Sequence, residues 1–150
     1  MSGYPSTTPF PTRWSDNDVY GHLNNTIYYA AMDTTINTWL IRSAGFDLER
    51  APEIALCVSS GCEFRASAAF PDPLELGLRA GRVGTTSVTW ELGVLRAGVD
   101  GTGTGTATGT GELIATGTFV HVFVDRETRR PVPIPAAIRA AIERELVVGE

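Results

Sequence analysis

Residues 25–44, "NTIYYAAMDTTINTWLIRSA", carry the pattern that decides the fold. Apolar side chains recur there at steps of three and four residues, the spacing of one face of an α-helix; they are Tyr28, Met32, Ile36, Trp39 and Leu40. Asn24 or Asn25 is a suitable N-cap, and Gly45 suits the left-handed position that ends a helix. Because apolar residues also occupy the other faces, we predict a helix from Asn25 to Ala44 that is largely enclosed by other structure.

Downstream of this helix, apolar residues alternate with polar or small ones, which is the period of a β-strand. Three regular segments show the alternation: LELGLRAGR (74–82), SVTWELGVL (87–95) and ELIATGTFVHVFVD (112–125). Residues 53–66 are a less regular strand candidate. Consecutive strands with short connections favour an antiparallel sheet. The predicted fold class is therefore α+β, with one curved antiparallel sheet around one central helix.

The two ends of the chain and one internal loop complete a single predicted domain, residues 1–150. Residues 1–9 are rich in Pro, Ser and Thr and are expected to be a loose arm, followed by a short strand at Phe10–Trp14. The segment PAAIRAAIERE, which starts at Pro135, predicts a short C-terminal helix. The Gly/Thr-rich residues 99–111 predict a mobile hairpin tip without chemistry.

Size, charge and composition exclude several classes of protein. The 150 residues, 43% of them hydrophobic, suit one globular domain. A net charge of -5 and the lack of a long basic tract argue against a nucleic-acid-binding surface. No signal-peptide pattern and no run of about 18 apolar residues occurs, so we expect a cytoplasmic protein without a membrane span.

The two cysteines, Cys57 and Cys62, are expected to be buried free thiols. They are five residues apart, and on a regular strand that odd spacing sends two side chains to opposite faces. A disulfide or a shared metal would therefore require a bulge at Gly61.

The segment RWSDNDVYGHLNN, residues 13–25, concentrates polar side chains directly before the predicted helix. A calcium loop with the pattern D-x-[DN]-x-[DN]-G-x5-E would need ligands where the chain has Tyr20 and Ile27, so we reject it. A zinc site of His22, His121 and an aspartate stays open, although the usual ligand spacing is missing. No G-x-S-x-G motif is present for a serine nucleophile. What remains is a carboxylate beside a helix start.

Asp18 precedes the helix by six or seven residues, and Gly21 allows the chain to turn between them. The first N–H groups of a helix lack intrahelical acceptors and carry the positive end of its dipole, so they can polarise a substrate carbonyl. The same charge favours an ionised Asp18, as a nucleophile or as a base for water. No general acid is evident, and a thiolate, whose thiol has a pKa of about 8.5, leaves without one. The loop therefore favours a thioester as substrate over an amide or a simple ester.

The same loop resembles the opening motif of a known family. RWSDNDVYGHLNNTIYY, residues 13–29, is similar to R-[YWF]-x-D-x-D-x-x-G-H-[VL]-N-N-x-x-Y of hotdog-fold acyl-CoA thioesterases of the 4-hydroxybenzoyl-CoA thioesterase type. The likeness extends over residues 10–140 or so, through the order of the strands. It implies that Asp18 is the catalytic carboxylate and that the backbone N–H of Asn25 polarises the carbonyl. It also implies a homodimer or dimer of dimers, with acyl-CoA bound between subunits and no metal or other cofactor.

Further motif residues receive roles by the same resemblance. The candidate substrate-binding residues are Tyr20, Gly21, His22, Asn24 and Tyr28. Asp16 matches the motif as well. For Asn24 and Asp16, the simpler role is to hold the turn before the helix by hydrogen bonds. Tyr28 also fits the apolar stripe as a core residue, and His22 either lines the pocket or braces the loop.

Recognition of coenzyme A is less clearly marked. Some relatives carry basic residues between the third and fourth strands, where this chain has VGTTS, residues 83–87, with only Arg82 nearby. The other CoA-binding candidates are Arg126, Arg129 and Arg130, for which an exposed turn is the simpler role. The carrier is therefore either CoA or a pantetheine arm on a protein. Two other functions stay open: a non-catalytic module that binds acyl thioesters, and a hotdog hydratase or dehydratase.

Overall fold

The computed structural model describes residues 3–99, 105–106 and 111–148. Its elements, in chain order, are β1 (Ser6–Pro11), a 3₁₀ turn (Trp14–Asp16), α1 (Asn25–Arg42), β2 (Glu53–Phe64), β3 (Pro73–Val83), β4 (Ser87–Arg96), β5 (Gly98–Val99), β6 (Gly105–Thr106), β7 (Leu113–Asp125) and α2 (Ala136–Glu145). Five strands form one antiparallel sheet in the order β1-β3-β4-β7-β2, so β1 and β2 are its edges. The predicted α+β class is confirmed.

The predicted apolar stripe of α1 packs against one face of the sheet. All five side chains are buried: Tyr28, Met32, Ile36, Trp39 and Leu40. Gly117 on β7 lets the helix approach closely, because a Cβ there would collide with the sulfur of Met32. The helix starts after the Asn24 cap and ends at Arg42, and Gly45 follows with the expected positive φ, 68°.

The prediction that α1 is largely enclosed is wrong for the single chain. The side of the helix that turns away from the sheet is exposed, including Asp33, Thr34 and Ile41, and Tyr29 at its margin is also exposed although its ring contacts Phe119. The reason is geometric, since a five-stranded sheet with free edges covers only one side of the helix. Exposed large apolar side chains on a helix mark a candidate contact surface.

The N-terminal arm is more ordered than the sequence predicts. β1 runs from Ser6 to Pro11 and pairs with β3, whereas we predicted a loose arm over residues 1–9 and a strand over residues 10–14. Proline lacks the N–H that a central strand needs, but an edge strand tolerates it. Pairing with β3 therefore outweighs the composition of this segment.

Tyr4 holds the arm on the outer face of the sheet. Its ring lies over Gly77 and Gly93, where a Cβ would come within 2.5 Å and 2.6 Å of ring atoms. The guanidinium of Arg79 stacks on the same ring, 5.0 Å from its centroid. The ring can occupy this place only because both strand positions lack a side chain.

We predict that Gly93→Ala destabilises the fold by about 1–3 kcal/mol, because the added methyl group displaces the Tyr4 ring. Equilibrium unfolding in urea measures the change. Gly61→Ala is the matched control, since a Cβ at that strand position meets nothing within 4 Å. Equal stabilities of the two variants would contradict this packing.

The two cysteines share one face of β2, contrary to the regular-strand prediction. A bulge does occur, but between Cys57 and Ser59 rather than at Gly61. It leaves Cys57 opposite His121 and Cys62 opposite Gly117, four residues apart along β7. Four residues of strand span about 13 Å, too far for a disulfide. Both thiols are free as predicted, but neither is fully buried, since Cys57 is exposed and Cys62 is half-buried.

His121 is a buried histidine on the inner face of β7. Its side chain lies edge-on to the Trp90 ring, with centroids 6.1 Å apart, and its Nδ1 has no hydrogen-bond partner. Cys57 of β2 lies opposite it in the ladder. Burial lowers the pKa of His121, and the Asp33 carboxylate on α1 offsets that effect only in part.

A histidine whose pKa is lowered by folding binds a proton more readily in the unfolded chain. We therefore predict that the free energy of unfolding decreases as the pH falls below about 6.5, the pKa of an unperturbed histidine. His121→Gln should flatten this dependence, whereas His22→Gln, at an exposed position, should retain it. Urea unfolding at a pH of about 7.5 and again at about 5.5 compares the variants. An unchanged slope in His121→Gln would assign the pH dependence to other groups.

The remaining predictions concern the C-terminal half. The C-terminal helix is confirmed, with Pro135 as its N-cap, and it buries Ile138 and Ile142. The Gly/Thr-rich loop falls mostly outside the described residues; in the described part, β5 and β6 pair with each other.

No helix among the described residues has the length and apolarity needed to cross a membrane.

Candidate active site

The polar loop folds into a tight hairpin in front of α1. A bridge pairs Asn17 with Leu23, and the Asp18 N–H donates to the His22 carbonyl at 2.8 Å. Gly21, with a φ of 82°, adopts the left-handed conformation that closes the turn. Asp18 therefore lies on one arm of a hairpin whose other arm leads directly into the helix.

The Asp18 carboxylate is half-buried, and one of its oxygens is held by the turn. Oδ1 accepts the Tyr20 N–H at 2.9 Å. Within the described residues, no arginine pairs with this carboxylate and no donor is bonded to its second oxygen. A positioned carboxylate with a free oxygen can attack a carbonyl carbon or accept a proton from water.

Asp16 has a different environment from Asp18. Its side chain is buried and accepts three hydrogen bonds from Arg13, from the backbone N–H at 2.8 Å and from Nε and Nη2 at 3.1 Å and 2.9 Å. Its carbonyl accepts the Asn24 N–H at 2.9 Å. These are the contacts of a residue that holds the turn, as expected for Asp16.

In the first turn of α1, the Asn25 N–H has no acceptor among the described residues. The Asn24 side chain caps the helix by accepting the N–H of Thr26 at 3.0 Å, and the Asn24 carbonyl accepts that of Ile27 at 2.9 Å. Asn25 is exposed, and its N–H has no acceptor within the described part of the chain. It is therefore available to a substrate oxygen at the positive end of the helix.

The other substrate-binding candidates divide into exposed and buried residues. Tyr20, Gly21 and His22 are exposed at the tip of the hairpin. Tyr28 is buried and meets the Phe64 ring edge-on, with centroids 5.0 Å apart. Its hydroxyl lies at the Ala68 backbone, and burial raises the pKa of Tyr28. Tyr28 therefore has the contacts of a core residue.

A rim of exposed apolar side chains surrounds the hairpin, and of its members the sequence analysis named Tyr20 as a candidate but not Trp14, Phe64 or Phe70. Trp14 and Tyr20 are 77% and 81% exposed. Phe70, which packs against Trp14 at 6.2 Å, belongs to a loop joined to the hairpin by the bond from its N–H to Asn17. Phe64 and Phe70 lie at least 35 residues after the motif, which ends at Tyr29, so no local pattern could assign them to it. Such a patch is typical of a surface that contacts a ligand or a subunit.

The four candidate CoA-binding arginines do not reach this hairpin within one chain. The hairpin lies at the Phe64 end of β2, which is opposite Ala115, while Arg82 and the turn after Asp125 lie at the other end of the sheet. The two ends are about 30 Å apart along the strands. Arg126 also donates to two backbone carbonyls, of Leu48 and Ala51, while the exposed members are Arg82, Arg129 and Arg130.

The two histidines of the possible zinc site lie in different parts of the described structure. His22 lies in the hairpin, while His121 is buried in the middle of β7. No group of three His, Cys, Asp or Glu side chains among the described residues could hold a metal ion.

Comparison with known proteins agrees with this geometry. A family model described as the thioesterase-like superfamily matches residues 12–142. The PA5185 protein from Pseudomonas aeruginosa strain PAO1 is 42% identical, with 99% of this chain and 96% of that one covered and a TM-score of 0.84. PA2801, a candidate thioesterase from Pseudomonas aeruginosa, is 30% identical, with 93% and 98% covered and a TM-score of 0.77.

A more distant structure shares the fold alone. Slr0204, a 1,4-dihydroxy-2-naphthoyl-CoA thioesterase from Synechocystis, is 17% identical, with 91% and 93% covered and a TM-score of 0.76. No curated protein sequence matches the chain. The family match nevertheless includes the hairpin, α1 and every strand of the five-stranded sheet except β1. The chain is a hotdog-fold protein and belongs to the thioesterase-like superfamily.

Proposed function

We propose that this protein is an acyl-CoA thioesterase that hydrolyses a thioester to a free acid and CoA. One observation carries the proposal: a half-buried carboxylate with a free oxygen, Asp18, lies on the hairpin that leads into a helix whose Asn25 N–H lacks an acceptor. These are the two groups that acyl transfer from a thiol requires. Membership of the thioesterase-like superfamily supports the same reaction.

In the proposed reaction the thioester carbonyl oxygen accepts the Asn25 N–H, and the carbonyl carbon faces Asp18. The carboxylate either attacks this carbon or removes a proton from an attacking water. Negative charge then develops on the carbonyl oxygen, where the helix dipole and the N–H stabilise it. The tetrahedral intermediate collapses by breaking the C–S bond, and the thiolate leaves without a general acid because its conjugate thiol has a pKa of about 8.5. On the nucleophilic route, water then cleaves the acyl anhydride formed on Asp18, which releases the acid and restores the carboxylate. On the base route, the acid forms directly and Asp18 passes the water proton to solvent.

The proposed active form is a homodimer or a dimer of dimers. β2 supports this assembly because it is a twelve-residue edge strand with exposed apolar side chains at Val58 and Phe64. An uncovered edge of this length readily pairs with another strand. Antiparallel pairing of two copies of β2 would join their sheets and cover the exposed rim of the hairpin.

Such a dimer also offers a role for the arginines at the far end of the sheet. If two β2 strands pair about their middle, the Glu53 end of one copy lies beside the Phe64 end of the other. The turn with Arg129 and Arg130 of the second copy would then approach the first copy's hairpin. Two exposed guanidinium groups at the mouth of the site suit the phosphates of CoA.

Release of free thiol from a panel of acyl-CoAs tests the proposed function. Turnover of any acyl-CoA, with equal amounts of acid and thiol formed, supports hydrolysis. Tight binding without thiol release would favour a non-catalytic acyl-thioester module instead, and addition of water to an enoyl-CoA with the thioester intact would favour a hydratase. Acyl groups on a carrier-protein pantetheine, assayed in parallel, distinguish the two carriers.

A further inference from the structure

A long cavity lies between α1 and the edge strand β1, on the inner face of the sheet. Its volume is about 420 Å³, and Leu76 and Leu78 of β3 form its floor. This volume lies in the range of small-molecule binding sites, about 300–1,000 Å³. We refer to this cavity as the β1–α1 slot.

Small side chains from both walls line the middle of the slot, although Phe10 of β1 also contributes to its lining. β1 contributes Ser6 and Thr8, whose register opposite Leu78 and Leu76 directs them towards the helix. The helix contributes only alanine and threonine over its two middle turns, namely Ala30, Ala31, Thr34, Thr35 and Thr38. Cores are packed without gaps of this size, so a row of small residues on both walls is a feature of a binding site rather than of a core.

The slot starts beside the candidate active site. Its near end is lined by Ile27, two residues after Asn25, and by Arg13, whose guanidinium binds the hairpin residue Asp16. It follows α1 as far as Trp39 and Arg42, about 22 Å from Ile27 at 1.5 Å per residue. The near end of the slot and the candidate active site therefore lie at the same end of α1.

The opposite side of the first helical turns carries aromatic contacts between α1 and the sheet. Tyr28 packs edge-on against Phe64, with centroids 5.0 Å apart, and Tyr29 packs against Phe119 at 6.0 Å. These ring contacts fill the space between α1 and the β7–β2 side of the sheet.

We propose that the β1–α1 slot binds the acyl chain, and that the substrates are thioesters of long unbranched aliphatic acids. This inference rests on the proposed function. The floor and walls offer leucine, alanine and threonine methyl groups along four turns of helix, so each added methylene of a linear chain gains apolar contact. A single aromatic ring would occupy only the near end, and the rest of the slot would contribute nothing.

Chain-length dependence tests this assignment. The value of kcat/KM is expected to rise from butyryl-CoA to dodecanoyl-CoA, with benzoyl-CoA close to the short-chain value. Thr38→Leu places a larger side chain in the slot near its Trp39 end. The substitution should not weaken the helix, since leucine has a higher helix propensity than threonine. The ratio of kcat/KM for dodecanoyl-CoA to that for butyryl-CoA should then fall at least about tenfold.

The matched control is Thr118→Leu, an exposed position on the face of β7 that turns away from the helix. In this variant the ratio of kcat/KM for dodecanoyl-CoA to that for butyryl-CoA should equal the ratio in the unaltered protein. A ratio unchanged in Thr38→Leu, or one that changes equally in both variants, would overturn the slot assignment while hydrolysis itself persists. Absence of thiol release from every acyl-CoA would instead reject the proposed function and, with it, this substrate class.

Discussion

Asp18→Asn is expected to lower kcat for thioester hydrolysis on the order of a thousandfold or more. The amide is nearly isosteric with the carboxylate, so its oxygen can still accept the Tyr20 N–H and keep the turn. It is neither anionic nor basic, however, and can neither attack a carbonyl carbon nor accept a proton from water. Steady-state kinetics on the best acyl-CoA of the panel measure the loss.

Asp47→Asn is the matched control for this substitution. Asp47 holds an equivalent exposed turn after α1, with Oδ1 accepting the N–H groups of Glu49 and Arg50 at 3.0 Å each. This variant should keep full activity, and both variants should show the circular dichroism and mass of the unaltered protein. Near-normal turnover by Asp18→Asn would reject the assignment of the carboxylate.

Val58→Lys is expected to convert the proposed dimer to a monomer and to reduce kcat/KM at least about tenfold. Val58 is 60% exposed in the bulge at the middle of the edge strand β2. In a pair of antiparallel β2 strands the two copies of this residue would lie near the twofold axis, where two lysines repel each other. Loss of the second copy would leave the hairpin rim uncovered and remove the arginines that it contributes.

The control is Val147→Lys, which changes an equally exposed valine, 54% accessible, just after α2. Sedimentation equilibrium should give the dimer mass for this control and the monomer mass for Val58→Lys. A dimer that survives Val58→Lys would mean that the copies meet on another surface, such as the exposed side of α1. Full activity in a monomeric variant would contradict a site shared between subunits.

Much of the fold follows from periodicity. The three-and-four spacing of Tyr28, Met32 and Ile36 predicts a buried stripe, and the alternation in β3, β4 and β7 predicts antiparallel strands. Both signals are local, because each reflects which side of one element is covered. The helix cap is local too, and Asn24 occupies it as expected. Features determined by one element at a time are therefore the ones that the sequence predicts well.

Features that depend on two distant segments could not be predicted in this way. β1 forms because the edge of β3 is available to pair with Ser6–Pro11, whereas the proline-rich composition of the arm suggests a loose segment. The bulge at Val58 and the approach of Phe70 to the hairpin depend on register and loop path. The β1–α1 slot likewise arises from small residues on two separate elements that meet only in the folded chain.

The most direct test of the proposed mechanism is a crystal structure of the Asp18→Asn variant with an acyl-CoA bound. If the proposed mechanism is correct, the thioester carbonyl oxygen lies about 2.7–3.1 Å from the Asn25 nitrogen. The side chain at position 18 then lies within about 3.5 Å of the carbonyl carbon. The same structure would show whether the acyl chain follows the β1–α1 slot. A thioester bound away from the start of α1, with residue 18 turned from the reacting carbon, would contradict the proposed mechanism.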